Sequence, residues 1–143
     1  MRAYIVGGLV AVGAFVSRAF GGWSASLNTL CIFMAIDYVT GLIVALVFNR
    51  SPKSEHGGIS SGASVSGLFR KGGILAMVFI GARLDILTGS GYIRDGMCIA
   101  FIVNELISIT ENAGLMGIPI PAVLKKVIDV LKEKTEKEDE SIS

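Results

Sequence analysis

Leu27-Asn28-Thr29-Leu30-Cys31-Ile32-Phe33-Met34-Ala35-Ile36-Asp37-Tyr38-Val39-Thr40-Gly41-Leu42-Ile43-Val44-Ala45-Leu46-Val47-Phe48 decides the fold class. These 22 residues are apolar almost throughout, and about 20 apolar residues in a helix span the hydrocarbon core of a bilayer. One residue breaks the rule: Asp37, at the centre. Reading outward, two more stretches are long enough to cross, 72–93 and 96–118, and a shorter one covers 3–16. The third stretch carries Arg83 and Asp85, the fourth Glu105 and Glu111. A charge at that depth costs on the order of 3 kcal/mol unless it is paired, protonated or facing water.

The whole chain supports a membrane reading. Of its 143 residues 52% are hydrophobic and only 17% charged, and mean hydropathy is +0.66, whereas a soluble domain carries about 25% charged residues. A net charge of +1 gives no general attraction to nucleic acid. Cys31 and Cys98 fall inside apolar stretches and read as small buried hydrophobes, with no disulfide framework. Met1-Arg2 before Ala3–Val16 imitates a signal peptide. Ser24-Ala25-Ser26 is a poor cleavage site and Arg18 interrupts the approach to it, so a retained first helix is expected. It reaches across if 17–23 continue it, with Arg18 snorkelling and Trp23 at the headgroups.

The expected class is therefore an all-α integral membrane protein. About four helices, over 3–23, 27–48, 72–93 and 96–118, make a bundle within 1–118; three crossings remain open if the first segment is interfacial. The connection 49–71 holds Arg50, Lys53, Arg70 and Lys71 against Glu55. It reads as a cytoplasmic loop by the positive-inside rule, with both termini inside. Its Gly and Ser content predicts flexibility, and its His56 reads as a solvated loop histidine. Gly89–Gly96 predicts a tight turn on the outer side. Beyond Pro119 and Pro121 the character changes. Ile120, Val123, Leu124, Val127, Ile128 and Leu131 share one arc at helical pitch, with Lys125, Lys126, Asp129, Lys132 and Glu133 opposite. This segment of 119–143 predicts an amphipathic membrane-surface helix, or one packed on a neighbour, before a charged tail from Glu133 expected to be unstructured.

Polar residues inside the spans are the candidate functional set. Asn104, Glu105, Ser108, Glu111 and Asn112 lie within roughly a 120° arc of one helical face. They either hydrogen-bond a static bundle at about 1 kcal/mol each or line water. Asp37, Gly41 and Ala45 form a ridge that lets another helix approach closely, with Thr40 beside it. Arg83 and Asp85 point to nearly opposite sides of their helix, and Arg83 is expected to pair with Asp37 or Glu105. That count leaves three carboxylates without a cation, which favours water contact in an assembly of several copies. No nucleophile–base pair, zinc signature or phosphate loop is present, and no metal or cofactor is expected.

The order of these motifs resembles the phage lysis and toxin-secretion holins of Gram-positive bacteria and their phages. Asp37-Tyr38-Val39-Thr40-Gly41, then Ser60, Ser61, Gly67 and Arg70-Lys71-Gly72, then Asp85-Ile86-Leu87 carry the resemblance. It continues through Asn104–Ile109, Glu111-Asn112 and Gly117–Pro121 into the basic amphipathic helix. The resemblance implies a non-enzymatic protein of the bacterial cytoplasmic membrane. It would associate with itself into lesions that release an endolysin, or in relatives a toxin, without needing to bind it. An antiholin, a small ion-coupled transporter or channel subunit, and a static scaffold are the competing readings.

Overall fold

A computed structural model describes residues 1–53, 57–58 and 60–142. It is helical, with no strand among those residues: α1 (Arg2–Ala19), α2 (Ala25–Leu46), α3 (Ser61–Thr88), α4 (Ile93–Leu115) and α5 (Ala122–Ile142). The first four are each long and apolar enough to cross a membrane. They alternate in direction. One end of the bundle carries the long 47–60 connection, the loop end; the other carries the two short links 20–24 and 89–92, the hairpin end.

Local chemistry sets the helix ends. The Ser24 hydroxyl caps α2 by accepting from the Leu27 amide at 3.2 Å, and Ser60 caps α3 by accepting from Ala63 at 3.3 Å. Gly89, at φ +70°, closes α3 in the left-handed conformation that only glycine adopts without strain. The Ser60 cap starts α3 earlier than expected. The connection read as a loop over 49–71 is helical from Ser61, so Arg70 and Lys71 stand on a helix and the third span runs 61–88 rather than 72–93. Its Gly and Ser residues are compatible with flexible chain, but Ser60 satisfies the first amides and no proline interrupts the run. The tail from Glu133, expected to be unstructured, continues α5 as helix. Its residues are mostly strong helix formers, and Lys137 pairs with Glu133 at 2.8 Å one turn apart. His56 lies outside the described residues.

α4 is the central helix. It packs along α2 and α3, whereas α2 and α3 touch each other little. At the hairpin end the three close a dry core of Leu27, Leu30, Met34, Val78 and Cys98. Phe20, Cys31, Ile74, Leu75, Met97, Phe101 and Ile102 pack around it. Towards the loop end the same faces turn polar and α2 and α3 leave a cleft between them. α1 stands apart: residues 2–16 are exposed on every side, and it meets α3 only near the hairpin end, where the Phe20 and Phe79 rings pack edge-to-face at 5.3 Å.

Candidate functional site: a charged triad at the floor of an inner cleft

The inward stripe of α2 reads Leu27, Leu30, Met34, then Asp37, Gly41 and Ala45, steps of three and four that keep one face on α4. Asp37 and Glu105 are only 7% and 6% exposed. Between their carboxylates sits Lys71, whose Nζ donates to Asp37 Oδ2 at 2.7 Å and Glu105 Oε2 at 2.6 Å. At 1.5 Å per residue all three lie about 15 Å from the loop ends of their helices. Three helices thus deliver one charged group each to a common depth.

This corrects the expected pairing. Arg83 is exposed on α3 and takes no part in the ion pairs among the described residues; Lys71 holds both Asp37 and Glu105. From the sequence, Lys71 reads with Arg70 as part of a cytoplasmic loop rather than as a partner inside the bundle. About three turns of helix over 61–71, at the C-terminal end of that stretch, bring its ammonium inside. The surplus of unpaired carboxylates shrinks accordingly: two share Lys71, Glu111 is exposed, and Asp85 serves the backbone.

Asn112 completes the floor. Its Nδ2 donates to Asp37 Oδ1 at 3.1 Å and Thr40 Oγ1 at 3.0 Å, while the Thr40 hydroxyl donates to the Ile36 carbonyl at 2.8 Å. The ridge of Gly41 is occupied by α4 of the same chain: a Cβ there would lie 3.8 Å from Asn112 Nδ2. Above the floor opens a cleft of about 490 Å³ between α2, α3 and α4. Arg70, Asn104, Ser108 and Glu111 line it, and Ser51–Lys53 and Gly58 of the connection form its rim. Of the polar stripe on α4, Glu105 is buried, Ser108 and Asn112 are half-buried, and Asn104 and Glu111 are exposed. A cleft of that size has room for several waters, and access to water lowers the cost of a triad with two carboxylates and one ammonium. No group of three His, Cys, Asp or Glu side chains that could hold a metal occurs among the described residues.

Asp85 looks away from Arg83 to the start of α4. Its Oδ1 accepts from the Ile93 amide at 3.0 Å and the Ser90 hydroxyl at 2.7 Å, and its Oδ2 from the Arg94 amide at 2.9 Å. These satisfy amides that a helix start leaves without partners. Asp85→Ala is expected to accelerate amide exchange at Ile93 and Arg94 by about tenfold, the equivalent of ~1.4 kcal/mol. Unchanged exchange at both amides would refute the cap.

A second cluster at the hairpin end was not foreseen. Arg94 donates through Nη1 to the Phe20 carbonyl at 2.6 Å and the Gly22 carbonyl at 2.8 Å, and through Nε to Asp95 at 3.0 Å. Asp95 Oδ1 also accepts from Ser24 at 3.2 Å and Ser26 at 2.8 Å. Arg94 thereby ties the end of α1 to the start of α4. The sequence signal was the charged pair following the Gly89–Gly91 turn, which reads equally well as a solvated turn. On α5, Leu124 and Leu131 are half-buried and Ile128 is buried, whereas Val123, Lys125, Lys126 and Val127 are exposed; the helix packs on α4 with part of its apolar arc.

Four apolar crossing helices and a buried charged floor define a multi-span helical membrane protein. More narrowly, the chain belongs to the bacteriophage holin family, whose model matches residues 14–133; this is not a family of enzymes. Among its relatives, a protein of Halalkalibacterium halodurans is 37% identical over 138 residues, covering 92% of this chain and 96% of the relative. A 14.9 kDa protein of Clostridium perfringens is 35% identical over 133 residues, with 92% and 95% covered. A probable holin of Bacillus phage phi105 is 29% identical over 120 residues, with 80% and 83% covered. No solved structure matches the chain.

Proposed function

We propose that this protein is a holin that accumulates in the bacterial cytoplasmic membrane with both termini inside. At a threshold density it would associate with copies of itself into lesions wide enough to release a folded endolysin, or a toxin in some settings. The observation that carries the reading beyond family membership is the triad, Asp37–Lys71–Glu105, set at mid-depth beneath a polar cleft. In one chain the triad neutralises most of its own charge, which lets the protein reside in the bilayer. In an assembly the same cleft face, with Asn104, Ser108, Glu111 and Asn112, would border shared water, where bare carboxylates cost least. Mutual approach would then stabilise the open form without any new charged residue. The valines of α5 with Lys125 and Lys126 would rest on the anionic inner leaflet.

The dry core argues against a transporter built from one chain. Leu27, Leu30, Met34, Val78 and Cys98 close the hairpin end, so the cleft stops at the triad. An antiholin would share all of this geometry and differ in outcome. The deciding experiment is controlled expression in a bacterium while growth and release of a large folded cytoplasmic reporter are followed together. Abrupt arrest with reporter in the medium is expected. Ion leakage without reporter would overturn the lesion reading in favour of a narrow channel, and continued growth despite confirmed insertion would overturn it in favour of an antiholin. In the same assay Asp37→Asn with Glu105→Gln is expected to shift the onset of arrest; unchanged timing would sink the role given to the triad.

A further inference from the structure

α1 and α3 run in the same direction and carry the same seam. On α1 it is Val6, Leu9, Gly13, Val16 and Phe20; on α3 it is Val65, Leu68, Gly72, Leu75 and Phe79. Both follow alternating steps of three and four, the spacing of a helix face that packs lengthwise on another helix. Each α3 residue lies at a constant offset of 59 from its α1 counterpart, and four of the five pairs are the same residue type. In the structure the last pair is in contact, Phe20 edge-to-face on Phe79. Inward of it Val6, Leu9, Val65 and Leu68 are exposed, and nothing lies within 4 Å of a Cβ placed at Gly13 or Gly72.

The geometry points to closure of α1 onto α3 of the same chain as a parallel, in-register helix pair, extending the Phe20–Phe79 contact down the seam through a Gly13–Gly72 crossing. The existing contact already sets the register. Both glycines stand about 10 Å inward of it at 1.5 Å per residue, and paired glycines let backbones approach closely in lipid. Arg94 donates to the Phe20 and Gly22 carbonyls on either side of Gly21 (φ +74°), which pins the head of α1, so closure brings the rest of the helix to α3 by leaning about Phe20. The same chain is the favoured occupant because the tether makes its α1 a neighbour at high effective concentration, whereas a second copy must first reach a comparable density. If the holin reading holds, this makes α1 a cap on an association face of α3. The cap is displaced only when copies become crowded, a density-dependent delay written into the fold.

Disulfide trapping in native membranes tests the closure without any lysis. Cys31 and Cys98 are replaced by alanine, and the pair Leu9→Cys with Leu68→Cys is oxidised after insertion has been confirmed. The contact pair Phe20→Cys with Phe79→Cys serves as reference and Ala11→Cys with Leu68→Cys as the off-face control. Closure is expected to cross-link the seam pair within one chain at least roughly tenfold faster than the off-face pair. Adding Gly13→Leu, which holds the helices apart, should remove most of that advantage. Cross-links found only between two chains would overturn the proposal and give the face to a second copy. A seam rate no higher than the off-face rate would overturn it too, leaving α1 in lipid. Neither failure touches the reporter-release test, and a failure there leaves the closure standing.

Discussion

Lys71→Met is expected to cut the amount of folded protein in the membrane by more than tenfold. The side chain is 13% exposed and is the cation for both Asp37 and Glu105. Removing it strands two carboxylates about 15 Å deep, and loss of one partner of a buried ion pair costs about 3–5 kcal/mol. The cleft supplies some water, which moves the expectation to the lower end of that range. The triple change Asp37→Asn, Glu105→Gln, Lys71→Met removes every charge of the triad at nearly constant shape, and the two amides can donate to as well as accept from each other and the cleft water, so it is expected to restore accumulation. Membrane yield and thermal unfolding in detergent, measured for the single and triple variants, check the claim. Normal yield and melting of Lys71→Met would show that the carboxylates do not depend on it.

Gly81→Leu is expected to be the most disruptive change at the hairpin end. A Cβ on Gly81 would stand 2.6 Å from Met97 Sδ, 3.2 Å from Arg94 Cα and 3.4 Å from Arg94 N. The thioether can swing aside, but the Arg94 backbone cannot easily follow, because Asp85 holds its amide and its guanidinium holds α1. A leucine must therefore push α3 and α4 apart, at a cost of about 3 kcal/mol or more. Gly81→Ala is expected to be milder: its Cβ meets the same atoms, but the Met97 thioether can swing aside, the Arg94 backbone need give only a few tenths of an ångström, and alanine recovers about 1 kcal/mol of helix propensity. Helicity followed against temperature in detergent should separate the two variants clearly. Equal melting of Gly81→Leu and the parent would mean that α3 and α4 are not held at this distance.

Seen through these two residues, the chain discloses its structure unevenly. The apolar runs, the two proline-marked ends and the glycine turn are local signals, and they disclose the four spans and the change of character after Pro119. Asp37, Glu105 and Asn112 are visible as misfits because an acid or amide inside an apolar run needs a reason. Their partner is not visible. Lys71 follows Arg70 in a Gly- and Ser-rich stretch whose composition favours loop, and only Ser60 capping a helix at Ser61 carries its ammonium to the bundle axis. Arg83 invites the opposite error, since it sits deep in an apolar run yet faces outward.

The sequence by itself determined that this is an all-helical membrane protein with polar residues on one face of its fourth span. Period and length are enough for that, because lipid leaves a spanning backbone few options. Tertiary structure alone decided which charges meet. Ion pairing depends on where three separate helices place their side chains at one depth, and residues 37, 71 and 105 are too far apart in the chain for any local pattern to relate them. It also decided that α2 and α3 part above the triad to leave a cleft, and that α1 meets the bundle only at its hairpin end, through Phe20 on Phe79 and the Arg94 hydrogen bonds.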